Sequence, residues 1–166
     1  MSYYPIFLNL SYKKALVVGG GLVAQRKVET LLEHGASTSV VSQKLTVRLK
    51  ELAEEKKIQY LGPEFSEEYL DDMFLVIAAT DDQELNHRVS LCAQERGLLV
   101  NAVDQPEDCN FIVPSIVRRG DLQVAISTSG KSPALARKLR QELEVQFGEE
   151  YEKLLSLGSV PGPAPG

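Results

Sequence analysis

Short apolar runs alternate with segments of helical periodicity along the first two thirds of the chain. In the first helical segment, Val23, Val28 and Leu31 recur at the spacing that places side chains on one face of a helix. The apolar runs predict five buried strands, at Ala15–Val18, Thr38–Val41, Ile58–Leu61, Met73–Ala79 and Leu98–Val103. The alternation predicts an α/β fold, a doubly wound parallel sheet with helices on both faces.

Capping residues set the limits of the helices between these strands. The first helix begins near Leu22 and stops at Gly35, and a charged helix covers about Leu45–Lys56. The third helix follows Thr80-Asp81-Asp82 and closes at Gly97. Each helix therefore connects two neighbouring strands of the predicted sheet.

The pattern changes beyond residue 110. Two apolar runs, Phe111–Val117 and Leu122–Ser127, flank a polar turn and predict a β-hairpin instead of another strand–helix–strand unit. Ser132 and Pro133 then supply the N-cap and first position of a last helix. We predict three segments: a dinucleotide-binding α/β domain at 1–110, a small α+β module at 111–150 and a disordered or truncated tail at 151–166.

The composition excludes several classes of protein. Of 166 residues, 43% are hydrophobic and 25% are charged, which suits one ordinary globular domain with a small appendage. The net charge of −5 argues against general nucleic-acid binding, so an anionic ligand needs a local cluster of cations. The cysteines Cys92 and Cys109, with only His34 and His87 beside them, form no disulfide framework and no zinc-ligand spacing. We predict no metal site.

The sequence offers no membrane or export signal. No apolar run approaches the roughly 18 residues that span a bilayer, so we predict no membrane association. The sequence Met1-Ser2-Tyr3-Tyr4-Pro5 lacks the basic and apolar regions of a secretory signal. The expected location is the cytoplasm.

A glycine turn joins the first predicted strand to its helix. Gly19, Gly21 and Ala24 have the spacing in which the first glycine permits a tight turn and the second lets a pyrophosphate approach the backbone. Leu22 and Val23 then open the helix, whose N–H groups and dipole favour an anion. This motif predicts a Rossmann-type dinucleotide site. A glycine-rich turn in another kind of α/β domain is the alternative.

The end of the second strand bears on the choice of dinucleotide. An Asp or Glu normally stands there and binds the ribose of NAD, but here Ser42, Gln43 and Lys44 follow the strand. We take Gln43 and Lys44 as cofactor-binding candidates. Because a lysine tolerates a 2′-phosphate, these residues do not distinguish NAD from NADP. A solvated lysine at a helix start is the alternative for Lys44.

Six short motifs occur in order along residues 1–150. They are Pro5-Ile6-Phe7-Leu8, Val18-Gly19-Gly20-Gly21-x-Val23-Ala24-x-Arg26-Lys27, Ala78-Ala79-Thr80-Asp81-Asp82, Val100-Asn101-x-Val103-Asp104, Phe111-Ile112-x-Pro114-Ser115-Ile116 and Ser132-Pro133-x-Leu135-Ala136-Arg137. In order and spacing they resemble the precorrin-2 dehydrogenase/sirohydrochlorin ferrochelatase family of sirohaem synthesis. The resemblance implies a Rossmann domain, a dimerisation region from near Phe111, and NAD-dependent oxidation of precorrin-2 to sirohydrochlorin. Some relatives also insert Fe²⁺ into the product.

The resemblance also implies roles for single residues. Asp104 is the position that this family uses in catalysis, and it follows a predicted strand, where doubly wound sheets bind ligands. A carboxylate suits the proton that leaves with the hydride. Without the resemblance, a turn carboxylate before Pro106 is the simpler interpretation. The resemblance suggests that Thr80 touches the cofactor, whereas Asp81 and Asp82 are typical of a helix start.

The second module concentrates positive charge. From Arg118 to Arg140 there are six Lys or Arg residues and one acid, Asp121. A tetrapyrrole substrate, which carries many carboxylates, needs such cations and hydrogen-bond donors. We predict substrate contacts at Asn101, Thr128, Ser129, Lys131, Ser132 and Arg137. For the helical cations, a solvated basic face balanced by Glu142 and Glu144 is the alternative.

Other functions stay open on the sequence alone. Metal insertion needs a route for Fe²⁺, and the chain offers no His/Cys cluster for it, so chelation is less secure than dehydrogenation. A dinucleotide-sensing module would keep the glycine turn without needing Asp104, and a tetrapyrrole carrier would bind sirohydrochlorin without NAD. We expect a homodimer built by the hairpin and the last helix.

Overall fold

The structure is a computed structural model that describes residues 3–158. Two compact units account for these residues, one at Tyr4–Ile112 and one that contains Tyr3 and the residues from Val113 onward. The first unit contains five strands, β1 (Lys14–Val18), β2 (Ser37–Val41), β3 (Ile58–Gly62), β4 (Leu75–Ala78) and β5 (Leu99–Ala102). Its helices are α1 (Leu22–Glu33), α2 (Val47–Glu54) and α3 (Gln83–Glu95), with short 3₁₀ turns at Glu67–Leu70 and Pro106–Asp108.

All five strands of the first unit run parallel, in the order β3-β2-β1-β4-β5. The direction of the strand order reverses beside β1, which is where open α/β sheets form a crevice at the carboxyl ends of their strands. The predicted doubly wound α/β fold is confirmed. The sheet brings the turns after β1, β4 and β5 to one edge.

Alternating side chains of the strands pack on both faces of the sheet. Ala15 and Val17 join one buried cluster with Val28 of α1, whereas Leu16 and Val18 join a second with Val89 of α3. Burial on both faces explains why the strands appear in the sequence as unbroken apolar runs. Each CH₂ group buried in this way contributes about 0.8 kcal/mol.

Side-chain caps fix where two of the helices begin. Thr46 accepts a hydrogen bond from the Leu49 N–H at 3.2 Å, so α2 begins two residues later than the periodicity predicts. Asp82 accepts from the N–H groups of Glu84 and Leu85 at 3.0 and 3.1 Å and caps α3, as its position predicts. The N-cap of α1 is Gly21, which has no capping side chain.

The second unit contains an antiparallel hairpin and two helices. Its elements are β6 (Ser115–Arg119), β7 (Leu122–Ile126), α4 (Pro133–Gln146) and α5 (Glu150–Ser156). The hairpin turns at Gly120, whose φ of 57° suits glycine. Ser132 caps α4 by accepting from the Leu135 N–H at 3.3 Å, and Pro133 takes the first helical position as predicted.

The structure departs from the sequence prediction at both ends of this unit. The first hairpin strand begins at Ser115, four residues later than predicted, because Phe111 packs against the core of the first unit. Helix α5 occupies Glu150–Ser156, where the sequence predicted a disordered or truncated tail. The rest of that predicted tail, residues 159–166, lies outside the described residues. No helix within residues 3–158 is long and apolar enough to cross a membrane.

Candidate functional site

The first two glycines of the turn after β1 are needed for close packing. Gly19 has a φ of 128°, and a Cβ at this position would overlap the carbonyl of Ala79. A Cβ on Gly20 would overlap the carbonyl of Lys44. The dinucleotide motif leaves the position of Gly20 free, so its requirement is a finding of the structure. These two glycines let three neighbouring loops meet at the edge of the sheet.

Gly21 differs because a Cβ added there would meet no atom within 4 Å. The open space lies at the N-terminus of α1, where no side chain caps the helix. The next two side chains, Leu22 and Val23, are 71% and 37% exposed. A helix start with unclaimed N–H groups and room beside the backbone fits the pyrophosphate of a dinucleotide.

A cavity of about 480 Å³ lies beside this turn, at the carboxyl ends of the strands. Of the predicted cofactor contacts, Gln43 and Thr80 line it. Its wall consists of Val18, Val41, Ser42, Gln43, Pro63, Glu64, Phe65, Thr80, Asp81, Asp82, Leu85 and Arg88. The volume and the mixture of apolar and polar side chains suit part of a nucleotide.

In the turn after β2, Gln43 lines the cavity but Lys44 does not. Ser42 donates its hydroxyl hydrogen to the carbonyl of Lys44 at 2.8 Å, and Tyr60 donates to the carbonyl of Ser42 at 2.9 Å. These bonds hold Gln43 at the cavity wall. The Lys44 side chain is exposed and is not part of that wall. This placement favours the solvated-lysine interpretation of Lys44.

Phe65 and Arg88 form a part of the cavity wall that sequence analysis missed. The guanidinium carbon of Arg88 lies 5.6 Å from the centroid of the Phe65 ring, in the geometry of a cation–π contact. A stacked ring and guanidinium offer flat surfaces that suit a heteroaromatic base. The signal is absent from the sequence because the two residues stand 23 positions apart on different elements.

Asp104 occupies a strained turn directly after β5. Its φ of 61° lies in the left-handed region, which costs a non-glycine residue about 1–2 kcal/mol and which Asp and Asn tolerate best. On either side, Val103 donates its N–H to the Ala78 carbonyl at 2.9 Å, and Gln105 donates to the Ala102 carbonyl at 3.3 Å. The turn leaves the Asp104 carboxylate exposed at the same edge of the sheet as Thr80.

Lys27 is a second functional candidate that the sequence reasoning did not select. It lies half-buried on α1, close enough to Asp104 for the two charges to interact. Burial lowers the pKa of Lys27, the neighbouring Arg26 lowers it further, and Asp104 opposes both effects. A cation held beside an exposed carboxylate is a suitable contact for a polyanionic ligand.

Asn101 has a structural explanation within the first unit. Its side-chain amide donates to the carbonyl of Phe111 at 3.1 Å and so tethers the segment that follows β5. Nearby, the Cys109 thiol lies 3.2 Å from the Ala102 N–H, and burial raises the pKa of this thiol. A protonated, buried thiol is poorly reactive, so Cys109 is a structural residue.

The loop before α4 uses much of its hydrogen-bonding capacity internally. Ser129 donates its N–H to the Ser127 hydroxyl at 3.0 Å, and Ser132 donates its N–H to the Thr128 hydroxyl at 3.1 Å. Lys131 donates its N–H to the Thr128 carbonyl at 3.0 Å. Any anion at this loop would therefore meet side chains more readily than a nest of free N–H groups.

The cations of the second unit divide into paired and unpaired groups. Arg140 forms an ion pair with Glu144, and Lys138 lies 3.8 Å from Glu142. Arg137 and Lys131 are exposed and form no ion pair with any residue between 3 and 158. The solvated-face interpretation therefore fits Lys138 and Arg140, whereas Arg137 and Lys131 are free to bind a ligand. Across the same residues, no group of three or more His, Cys, Asp or Glu side chains is arranged to hold a metal ion.

Comparisons with known proteins identify the family. Residues 6–115 match a family model described as NAD(P)-binding, and residues 119–146 match a model of the central part of sirohaem biosynthesis proteins. The solved structure of SirC, a precorrin-2 dehydrogenase, matches with a TM-score of 0.81 and 30% identity, over 93% of this chain and 76% of that one. The chain belongs to the sirohaem synthase and precorrin-2 dehydrogenase family. The family predicted from the six motifs is confirmed.

Several similar members of this sirohaem family are longer proteins. Siroheme synthase 1 of Serratia proteamaculans is 50% identical and siroheme synthase of Neisseria meningitidis serogroup C is 49% identical, each over 144 residues. Both alignments cover 87% of this chain and 30% of the relative. Siroheme synthase of Nitrosococcus oceani is 47% identical over 93% of this chain and 33% of its own length. The chain spans about a third of these relatives.

Proposed function

We propose that this chain oxidises precorrin-2 to sirohydrochlorin with NAD as the hydride acceptor. The observation that carries the proposal is the exposed carboxylate of Asp104 at the same sheet edge as the open glycine turn at Gly21. A proton acceptor and a dinucleotide cradle on one edge are the two parts that a dehydrogenation of this kind needs. The likeness to SirC, a precorrin-2 dehydrogenase, supports the choice of substrate.

The residues of the first unit would hold NAD by its phosphates and its nucleoside. The turn at Gly19 and Gly21 and the first N–H groups of α1, at Leu22 and Val23, suit the pyrophosphate. Gln43 and Thr80 contribute from the wall of the cavity. When bound, NAD supplies the acceptor for a hydride.

Asp104 takes the proton in this proposal. Dehydrogenation removes a hydride and a proton from the substrate and leaves one additional double bond, so the protein has to receive the proton. The exposed carboxylate of Asp104 accepts it and then releases it to water, because the side chain lies in contact with solvent. Lys27 assists by holding positive charge beside the substrate's own carboxylates.

The second unit would contribute substrate-binding cations and a subunit interface. Lys131 and Arg137 suit the carboxylates of a tetrapyrrole, with hydroxyls from Thr128, Ser129 and Ser132 as donors. Asn101 stays a predicted substrate contact whose amide hydrogen-bonds Phe111.

A homodimer and a cytoplasmic location complete the proposal. Large apolar side chains stand exposed on α4 and α5, with Val145 86% exposed and Leu154 55% exposed, which favours contact with a second subunit. Sedimentation at several protein concentrations would show a dimer, and a monomer at all of them would contradict this part. Cys92 and Cys109 are free thiols, as expected in the reducing cytoplasm.

The decisive experiment is anaerobic oxidation of precorrin-2 by the purified chain, followed by the absorbance of sirohydrochlorin. With NAD present, Asp104→Asn is expected to lower kcat by about 100-fold or more, because asparagine keeps the backbone geometry and removes the proton acceptor. The affinity for NAD should stay within about twofold, since the glycine turn is untouched.

Asp72→Asn is the matched control for this experiment. Asp72 is also an exposed carboxylate with a φ of 61°, but it lies in the turn before β4. Its substitution should leave turnover unchanged. NAD binding without any turnover in the wild-type chain would contradict the proposal and favour a dinucleotide-sensing module. Sirohydrochlorin binding that needs no NAD, again without turnover, would favour a carrier.

A further inference from the structure

A continuous chain of buried hydrogen bonds links the turn after β4 to the turn after β5. The Asn86 amide nitrogen donates to the Thr80 carbonyl and to the Gln105 side-chain oxygen, both at 3.0 Å. The Gln105 amide nitrogen donates to the Asp108 carboxylate at 2.9 Å and to the Gln83 carbonyl at 3.2 Å. The three central side chains are almost fully buried, with Asn86 1%, Asp108 4% and Gln105 8% exposed.

The groups at the two ends of this hydrogen-bond network fix how the amides between them are oriented. The Gln83 carbonyl can only accept, so Gln105 has to turn its amide nitrogen toward Gln83 and Asp108 and its oxygen toward Asn86. At the other end, the Thr80 N–H can only donate, and it does so to the Asn86 oxygen at 3.1 Å. The two requirements agree, so every member has a donor facing an acceptor and each amide has one allowed orientation.

The turn that carries Asp104 needs such support. A non-glycine residue in the left-handed region persists only where its surroundings determine its conformation. Gln105 is the next residue along the chain, and its main chain closes the turn on both sides. Its N–H donates to the Ala102 carbonyl, and its carbonyl accepts from the Asp108 N–H at 3.0 Å. Its side chain then joins this turn to Asn86 and through it to Thr80.

We propose that Gln105 is a positioning residue, which holds the Asp104 turn in a fixed place relative to the cofactor-lining Thr80 turn. This inference rests on the proposed function, in which Asp104 receives a proton and Thr80 faces NAD. A core of hydrophobic residues would supply stability as well as a buried polar network does. What the network adds is a single defined geometry between two functional turns.

The first test replaces Gln105 with an isosteric residue that cannot donate. Gln105→Glu places a second carboxylate against Asp108 and should lower kcat by about 10- to 100-fold, because small displacements of a catalytic group cost this much. The affinity for NAD should change by less than about twofold, since the glycine turn lies outside the network and Thr80 keeps its own hydrogen bonds to Asn86. A fall in NAD affinity that parallels kcat, or an unchanged kcat, would overturn the proposal.

A reciprocal exchange separates positioning from loss of folding. In the double variant Gln105→Glu with Asp108→Asn, the donor and acceptor at the contact between these two side chains change places, and the bond to His87 is kept because asparagine retains an acceptor oxygen. The bond to the Gln83 carbonyl stays broken, so we expect part of the lost kcat to return. A double variant as slow as Gln105→Glu would overturn the proposal. This outcome would count in the same way even if the single variant fails to fold. Gln59→Glu, an exposed substitution on β3, is the control and should behave as wild type.

Amide hydrogen exchange tests the link without any turnover. In the wild-type chain, added NAD should slow exchange in peptides around Gly21, Thr80 and Asp104. In Gln105→Glu, protection around Gly21 should persist while protection around Asp104 is lost. Equal protection around Asp104 in both proteins would contradict the link. This measurement needs only NAD binding. A failure to oxidise precorrin-2 would therefore count against the proposed function, but hydrogen exchange would still show whether the two turns are linked.

Discussion

The two units of this chain bury their apolar side chains to very different degrees. In the first unit both faces of the sheet are covered, and β1 and β4 are buried along most of their length. Between residues 113 and 158, the buried hydrophobic side chains are Val117 and Ala136, while Val145 and Leu157 are 86% and 85% exposed. The first unit has a complete core, whereas the second leaves large apolar side chains exposed.

The two units also differ in how far their polar groups are buried. In the first unit the amides of Asn86 and Gln105 are buried and point in one fixed direction. In the second unit Lys131, Arg137 and Lys138 are exposed, and the ion pair of Lys138 with Glu142 lies in contact with solvent and is weak. The first unit, which contains the glycine turn, thus holds buried polar side chains in one fixed geometry. The second unit carries exposed charges that can adjust to a ligand.

The largest expected effect comes from breaking the rigid turn. Gly19→Ala should destabilise the protein by about 2–4 kcal/mol and abolish NAD binding, because the new Cβ overlaps a carbonyl and φ is unfavourable. Gly21→Ala is the matched variant, since a Cβ there meets only open space and φ is −82°. It should change stability by less than about 1 kcal/mol and weaken NAD binding about tenfold or more, by filling the room for the pyrophosphate.

Urea unfolding and titration with NAD measure the two effects separately. If the glycines acted only in folding, NAD affinity would follow stability in both variants. If Gly21→Ala bound NAD as tightly as wild type, the cradle would have to lie elsewhere. The pair therefore distinguishes a glycine required by packing from a glycine required by the ligand.

Most of the first unit could be predicted from sequence because its elements follow simple periodicities. Strands buried on both faces give unbroken apolar runs, and Asp82 shows where α3 begins. The second unit was harder. Helix α5 has no side-chain cap to mark its start, and the contact of its Tyr151 with Phe147, edge-on at 5.1 Å, is a local one between residues four positions apart. The late start of β6 depends on where Phe111 packs.

Site residues that the backbone conformation requires could be predicted from the sequence. Site residues whose roles depend on packing against distant parts of the chain were harder to predict. The positive φ of Gly19 and the open space at Gly21 follow from a short spacing motif. Gly20, Lys27 and Gln105 owe their importance to neighbours that are distant in sequence, so no local signal marks them. Asn86 offered a weak signal, as a polar residue among the inward positions of α3.

A smaller effect is expected from the adaptable charges of the second unit. Arg137→Ala should raise the KM for precorrin-2 about tenfold, because an unpaired arginine is free to form a charge-assisted hydrogen bond with a carboxylate. Lys138→Ala should stay within about twofold of wild type, since Lys138 is paired with Glu142 on the exposed side of α4. Steady-state kinetics at two salt concentrations measure both variants. Equal effects of the two substitutions would show that the helix acts through its net charge.

The smallest expected effect concerns Lys27, a half-buried cation of α1 whose charge interacts with that of Asp104. Its pKa in the folded protein is lowered from the ordinary 10.5, mainly by burial, so at about pH 7 the folded state carries a charge that the unfolded chain solvates better. Lys27→Met should therefore raise the free energy of unfolding at this pH, by less than about 1 kcal/mol. The Asp104 charge offsets part of the cost of burial and keeps the effect small.

The stability gained by Lys27→Met should depend on pH. Between the lowered pKa and 10.5 the unfolded chain binds more protons than the folded protein, so the stability contributed by Lys27 rises with pH. The advantage of Lys27→Met should shrink as the pH approaches 10.5. Lys50→Met, which removes an exposed lysine of α2, is the control. Urea unfolding from about pH 7 to pH 10 checks both. An advantage that stayed constant with pH would mean that Lys27 is destabilising through its packing and not through its charge.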